Sequence, residues 1–140
     1  MTPRLVVPQD PTVALRDAVM GVLVAFNDQA HGPERYKPFA ALLEDPADGA
    51  VLGGLWGDYY YDWLFVRLLA IPASLRGAGF GTRLMNEAEF FARSQDAVGV
   101  WLDTFSFQAR GFYEKLGYSC FAELPDYPRT ASRFFLQKRF

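Results

Sequence analysis

The 140-residue chain has one cysteine, Cys120, and one histidine, His31. A lone cysteine excludes an intrachain disulfide framework and a cysteine-rich metal site, and a lone histidine leaves little for zinc. No metal is expected. An excess of either charge is also missing: 14 lysines and arginines stand against 16 aspartates and glutamates, a net charge of -2. That balance argues against a protein that coats nucleic acid or an anionic membrane through bulk charge, while leaving room for a local basic site. No apolar run approaches the roughly 20 residues that cross a bilayer; the longest uncharged one is about Val19 to Phe26. The segment from Met1 to Pro8 holds only a very short apolar run, with Pro3 before it and Pro8 after it. It lacks the longer apolar region and small-residue cleavage site of a signal peptide. Repeats, low-complexity tracts and domain linkers are absent too. These absences predict one soluble, cytoplasmic domain spanning residues 1–140, with neither nucleic acid nor membrane as partner.

What is present is a core. Apolar residues make up 51% of the chain and charged residues 21%, a composition that packs rather than stays disordered. Val13, Val19, Val22, Leu23 and Phe26 recur at helical spacing through about Ala30, with Thr12 or Asp10 as the cap. Phe39 to Leu43 and Ala50 to Trp56 read as a hairpin, with a further turn at Gly57-Asp58. Tyr61 to Ile71 is a long apolar strand, and Phe80, Leu84, Met85, Ala88, Phe91 and Ala92 form one face of a helix ending near Ser94. Val98 to Leu102 is a short apolar strand of the kind buried on both faces. The span from Leu64 to Leu102 is therefore a βαβ unit with parallel strands. A helix from Ser106 to Leu116 stops at Gly117, and strands Tyr118–Glu123 and Arg133–Arg139 close the chain. The expected fold class is α/β, a mixed sheet with helices on its faces.

The most informative segment runs Ile71-Pro72-Ala73-Ser74-Leu75-Arg76-Gly77-Ala78-Gly79-Phe80-Gly81-Thr82. Three glycines and an arginine lie between a buried strand and the start of an amphipathic helix. Free N–H groups gather at such a terminus and the helix dipole favours an anion there. Glycines let a phosphate approach the main chain, and Arg76 adds a planar fork of donors. The segment suits a pyrophosphate, or else is a tight glycine-rich turn with a surface arginine. It is not a P-loop, because no Gly-Lys-Ser/Thr run occurs. It is not the dinucleotide fingerprint G-x-G-x-x-G, whose third glycine would fall at Thr82.

Arg76-Gly77-Ala78-Gly79-Phe80-Gly81 resembles the R-x-x-G-x-G signature of the GCN5-related N-acetyltransferases, the GNAT superfamily. Ala109-Arg110-Gly111-Phe112-Tyr113-Glu114-Lys115-Leu116-Gly117-Tyr118 is similar to that family's second hallmark, and the spacing of the two is typical. The resemblance covers about residues 50–140. It implies a GNAT-like acyl-CoA N-acyltransferase fold: a mostly antiparallel sheet with one parallel, splayed pair and flanking helices. It further implies acetyl-CoA as cosubstrate and acetyl transfer to a primary amine of a small molecule or peptide, by direct attack in a ternary complex. On the matched positions, the main chain at Leu69 and Ile71 would bind pantetheine and polarise the acetyl carbonyl. Arg76, Gly77, Gly79, Gly81 and Thr82 would hold the pyrophosphate, and Tyr113 would stand near the sulfur as general acid.

Two positions depart from the family pattern. Ser106 stands where many relatives have an asparagine that contacts pantetheine; the resemblance implies that its shorter hydroxyl reaches the pantetheine arm, directly or through water. The strand Leu64 to Leu69 has no glutamate to serve as base; it has Arg67 instead. Arg67 in the cleft would suit an anionic group of the acceptor, and Arg67 turned outward would be an ordinary solvated residue. The base is open among Asp103, Asp62 and His31. Asp103 follows a buried strand, where cleft residues of open sheets collect, or caps the next helix. His31 would border the acceptor or be incidental. Trp56, Tyr59, Tyr60, Tyr61 and Trp63 are structural or form a homodimer interface, or stack on an acceptor. Cys120 reads as a small core residue. The competing function is a non-catalytic acyl-CoA-binding sensor of the same fold. A third is a glycine-loop nucleotide binder, which would respond to ATP or NAD and not to CoA.

Overall fold

The computed structural model describes all 140 residues and divides into two compact units, Met1–Glu34 and Arg35–Phe140. The first holds one helix, α1 (Val13–Ala30). Of the two expected caps the structure uses Thr12, whose Oγ1 accepts from the Leu15 N–H at 3.3 Å.

The second unit runs β1 (Lys37–Glu44), β2 (Val51–Tyr60), β3 (Trp63–Ala70), α2 (Phe80–Ser94), β4 (Gly99–Phe105), α3 (Arg110–Lys115), β5 (Ser119–Pro125) and β6 (Ser132–Arg139). The strands form one sheet in the order β1-β2-β3-β4-β6-β5. Every neighbouring pair is antiparallel except β3 and β4, which are parallel across the α2 crossover. The mixed fold expected from the element order is the fold observed.

Alternation along the strands sends Leu64 and Val66 of β3, Val100 and Leu102 of β4 and Leu136 of β6 to one face, all buried. On that face α2 presents Leu84, Met85, Ala88 and Ala92, one stripe of a 3.6-residue period. Tyr113 of α3 joins the same cluster. Burying each large side chain of this set contributes about 1.5–3 kcal/mol. The opposite face carries Phe65 stacked on Trp101, with ring centroids 4.2 Å apart, and beside them Asp58, Arg67 and Asp103.

Two local expectations are corrected. The turn expected at Gly57-Asp58 is not there: β2 runs through both residues and turns at Tyr61-Asp62. Those two residues have φ of +48° and +69°, the positive pair that a tight two-residue hairpin demands. Gly57 pairs with Val66 inside β2, and a Cβ there would stand 2.9 Å from Leu64 Cδ1. The helix expected from Ser106 begins only at Arg110. Gln108 folds back, its Oε1 accepting from the Phe105 N–H at 2.8 Å and from Thr104 Oγ1 at 3.2 Å, which stabilises a loop instead.

Candidate active site

The pairing of β3 with β4 runs only from Trp63↔Gly99 to Val66↔Leu102, although β3 continues to Ala70 and β4 to Phe105. Beyond Val66 the strands part. The main-chain groups of β3 that would have faced β4 lose that ladder, and buried backbone groups need another partner. A β-bulge marks the same point. Trp56 pairs with Leu68 and Gly57 with Val66, so Arg67 is the extra residue. Bulges at such places re-aim a side chain.

The parted strands open a cleft of 1140 Å³. Leu69, Ile71, Arg76, Gly77, Gly79, Gly81 and Thr82 all line it, as do Arg67, Asp103 and Tyr113. The loop before α2 is built on backbone conformation. Gly77 and Gly79 have φ of +80° and +82°, the left-handed region, and a Cβ on either would meet nothing within 4 Å. Their open side is where a ligand can approach the main chain. Gly79 is the N-cap of α2 without a side-chain cap, and the first helical bond is Arg83 N–H to Gly79 O. The N–H groups of Phe80, Gly81 and Thr82 are thus left over for an anion. Arg76 turns back on the strand end, its Nε donating to the Ile71 carbonyl at 3.1 Å. Gly81 has a second reason to be glycine: its Cβ would lie 2.9 Å from Phe112 Cζ, where α2 meets α3.

Tyr113 is fixed by the way α3 ends. Gly117, at φ +97°, lets the Gly117 N–H reach the Glu114 carbonyl and the Tyr118 N–H reach the Tyr113 carbonyl, a Schellman closure. Beneath it lies a buried polar network. Tyr118 donates to Glu89 Oε2 at 3.2 Å, and Lys138 Nζ donates to Glu89 Oε1 at 2.7 Å and to the Leu116 carbonyl at 2.9 Å. Burial, with the Asp103 charge added, pushes the Tyr113 phenol up to about 12. The hydroxyl therefore stays protonated at neutral pH and keeps a proton to donate in a hydrogen bond.

On the other side of the cleft stand two Asp–Arg pairs. Asp103 Oδ2 takes a 2.7 Å contact from Arg133 Nη2. Asp103 caps no helix, since α3 starts seven residues later. Asp58 is 5% exposed and accepts from Tyr36 Oη at 2.7 Å, Trp56 Nε1 at 3.4 Å and Arg67 Nε at 2.6 Å. Burial raises its carboxyl, but the hydrogen bonds from Tyr36 and Arg67 and the Arg67 charge outweigh that and hold it below the usual value.

The structure does not bring every expected residue to the cleft. Ser106 is outside the lining; its N–H donates to the Ser132 carbonyl and its Oγ accepts from the Ser132 N–H at 3.0 Å, pinning β4 to β6. Gln108 lines the cleft instead. Asp62 sits in the β2–β3 turn, about 26 Å of strand away from Ala70 at 3.3 Å per residue. His31 is the C-cap of α1, in the unit Met1–Glu34. Cys120 is half-buried on β5. The aromatic cluster divides: Tyr59 enters the core, Trp56 serves Asp58, and Tyr60, Tyr61 and Trp63 line a shallow recess of 320 Å³ elsewhere. Asp58 escaped the sequence reading because a Gly-Asp pair looks like a turn. Nothing in the sequence marks Gln108.

The chain matches the model of the acetyltransferase (GNAT) family over residues 10–118. It is 43% identical over 91 residues to blasticidin-S acetyltransferase of Streptomyces morookaense, covering 64% of this chain and 67% of that one. Its fold matches the crystal structure of an assigned acetyltransferase from Agrobacterium tumefaciens with a TM-score of 0.92 and 29% identity, over 99% of this chain and 100% of that one. It also shares the fold of an aminoglycoside 6'-N-acetyltransferase solved with coenzyme A, at a TM-score of 0.64 and 19% identity, covering 91% and 92% of the two chains.

Proposed function

This chain belongs to the acetyltransferase (GNAT) family, and from that premise we propose that it works as one domain transferring acetyl from acetyl-CoA to a primary amine of a small molecule. The observation that carries the reading is the parting of β3 from β4 beside the left-handed glycine loop. The residues fit coenzyme A. Gly77 and Gly79 leave open the space a Cβ would fill, and the free N–H groups of α2 and the Arg76 guanidinium suit a diphosphate. The main chain at Leu69 and Ile71 suits the amide-bearing pantetheine arm. When bound, acetyl-CoA supplies an activated acetyl thioester.

The acceptor amine enters from the face bearing Asp103 and Arg67. Its nitrogen attacks the thioester carbonyl directly, so that C–N forms and C–S breaks. Holding the two reactants in line can lower the barrier by up to roughly 7–11 kcal/mol. A main-chain N–H on the parted part of β3 polarises the carbonyl oxygen. Tyr113 faces the departing sulfur. A phenol raised to about 12 is a poor proton source for a thiolate of ordinary pKa near 8.5. Its contribution is a hydrogen bond to the developing negative charge. The proton shed by the attacking nitrogen goes to Asp103, directly or through water, and finally to the thiolate. The similarity to blasticidin-S acetyltransferase supports a small-molecule acceptor.

The test is thiol release from acetyl-CoA with a panel of amines that includes blasticidin S, with mass spectrometry of the products. Acetylated amine formed in step with free thiol is the expected result. CoA binding by calorimetry without any turnover would replace the transferase reading with the acyl-CoA sensor.

A further inference from the structure

We infer that the acceptor carries a carboxylate beside its amine, that Arg67 receives it, and that Asp58 aims Arg67; the inference rests on the acetyltransferase reading. Arg67 is the bulge residue at the point where β3 leaves β4. Its side chain lines the cleft, is 54% exposed, and passes its guanidinium 5.0 Å from the Phe65 ring centroid. Asp58 takes only the Nε–H. The two terminal amino groups form the other edge of the planar fork, the edge that matches a carboxylate with two parallel hydrogen bonds.

The anchor is what separates this arginine from a solvated strand residue. Asp58 is nearly inaccessible to water and is held from three sides, by Tyr36 ahead of β1, Trp56 of β2 and Arg67 of β3. Burying a carboxylate is costly unless it is fully hydrogen-bonded. Here that arrangement fixes one exposed group, the Arg67 fork, at the cleft. Because Asp58 balances the Arg67 charge, recognition depends on directional hydrogen bonds at short range rather than on a broad positive field. Asp103 is tied to Arg133 nearby, so Arg67 is the cation of this face that a ligand in the cleft can reach. An acceptor amine placed at the parted strands would hold its carboxylate within a few bonds of that fork.

The experiment compares acetyl acceptors that differ only by the carboxylate: lysine with cadaverine, and ornithine with putrescine. Thiol release and product mass are measured for each, and acetyl-CoA binding is followed by calorimetry. The expected result is a kcat/KM roughly 10–100-fold higher for the carboxylated member of each pair, the range for charged hydrogen bonds. In Arg67→Ala the ratio within each pair falls to about one. Arg67→Lys does not restore it, because a point charge lacks both the Nε tie and the fork. Asp58→Asn, a change in a positioning residue, raises KM for the carboxylated member by several-fold and leaves its kcat in place. Equal kcat/KM within the pairs for the unaltered protein, which requires no variant to fold, overturns the inference and leaves the transferase reading intact. So does a preference that survives Arg67→Ala. Bound acetyl-CoA with no transfer to any of these amines or to blasticidin S overturns both.

Discussion

Tyr113 is buried in the core cluster and also lines the cleft, and its surroundings act on the proton in one direction. Desolvation first, and the Asp103 charge second, disfavour the phenolate and raise the group to about 12. A group raised on folding contributes stability that is fully present below its unfolded value near 10 and is lost as pH rises through about 12. The activity profile therefore has no alkaline limb from Tyr113 between about pH 7 and 10. Tyr113→Phe keeps the ring and removes the donor; kcat falls about 10–100-fold with CoA affinity nearly unchanged, the loss of one hydrogen bond to a charged atom. Single-turnover rates against calorimetric CoA affinity check this, and full kcat in the Phe variant removes Tyr113 from the chemistry. Asp58 shows the opposite sign. Its lowered carboxyl contributes stability present above the ordinary value of 3.8 and lost as pH falls through the lowered one. The stability difference between the unaltered protein and Asp58→Asn shrinks as the pH drops below about 4, measured as urea midpoints across that range.

Two helix ends set the site, and each depends on a glycine beyond the reach of ordinary residues. At the start of α2, Gly79 stands at φ +82° with open space beside it. A valine there is strained by about 1–2 kcal/mol and also occupies the anion position. CoA at 100 times its dissociation constant stabilises the native state by about 2.7 kcal/mol and raises Tm by several degrees. Gly79→Val remains folded and loses that shift; a retained shift disproves the pyrophosphate role of the loop. At the end of α3, Gly117 closes the helix over Lys138 and Glu89. Lys138→Met leaves Glu89 with Tyr118 as donor but without its counter-charge, and strips the Leu116 carbonyl of the Lys138 donor; it costs about 1–3 kcal/mol, with Tyr113 displaced and kcat reduced. Adding Glu89→Gln recovers part of the stability in chemical denaturation, because the stranded charge is gone.

At the scale of the molecule, the sheet divides the labour. The helices α2 and α3 lie on one face with the core, the glycine loop and Tyr113, while Arg67, Asp58 and Asp103 belong to the other. The gap between β3 and β4 is where the two faces communicate. Under the proposed function, a cosubstrate held from the helix side and an amine arriving from the other side would meet in line at that gap.

The sequence by itself determined the βαβ unit, the glycine loop, the helix carrying Tyr113 and the family. Those signals are local: periodicity in α2, glycines at fixed offsets, and an aromatic helix ending at Gly117. That Arg76, Gly77, Gly79, Gly81 and Thr82 line one cleft was legible because they are nearly consecutive. The acceptor side was not. Asp58 and Arg67 are nine residues apart and meet only because β2 and β3 pair with a bulge. The sequence left Arg67 undecided between cleft and solvent, since alternation assigns a face and not what lies above it. Ser106 looked like a pantetheine ligand, yet strand pairing sends its hydroxyl to Ser132 and leaves the cleft to Gln108. Register, bulges and the point where two strands part arise from pairings between distant segments. Tertiary structure alone decides them, and with them which charged groups line the cleft.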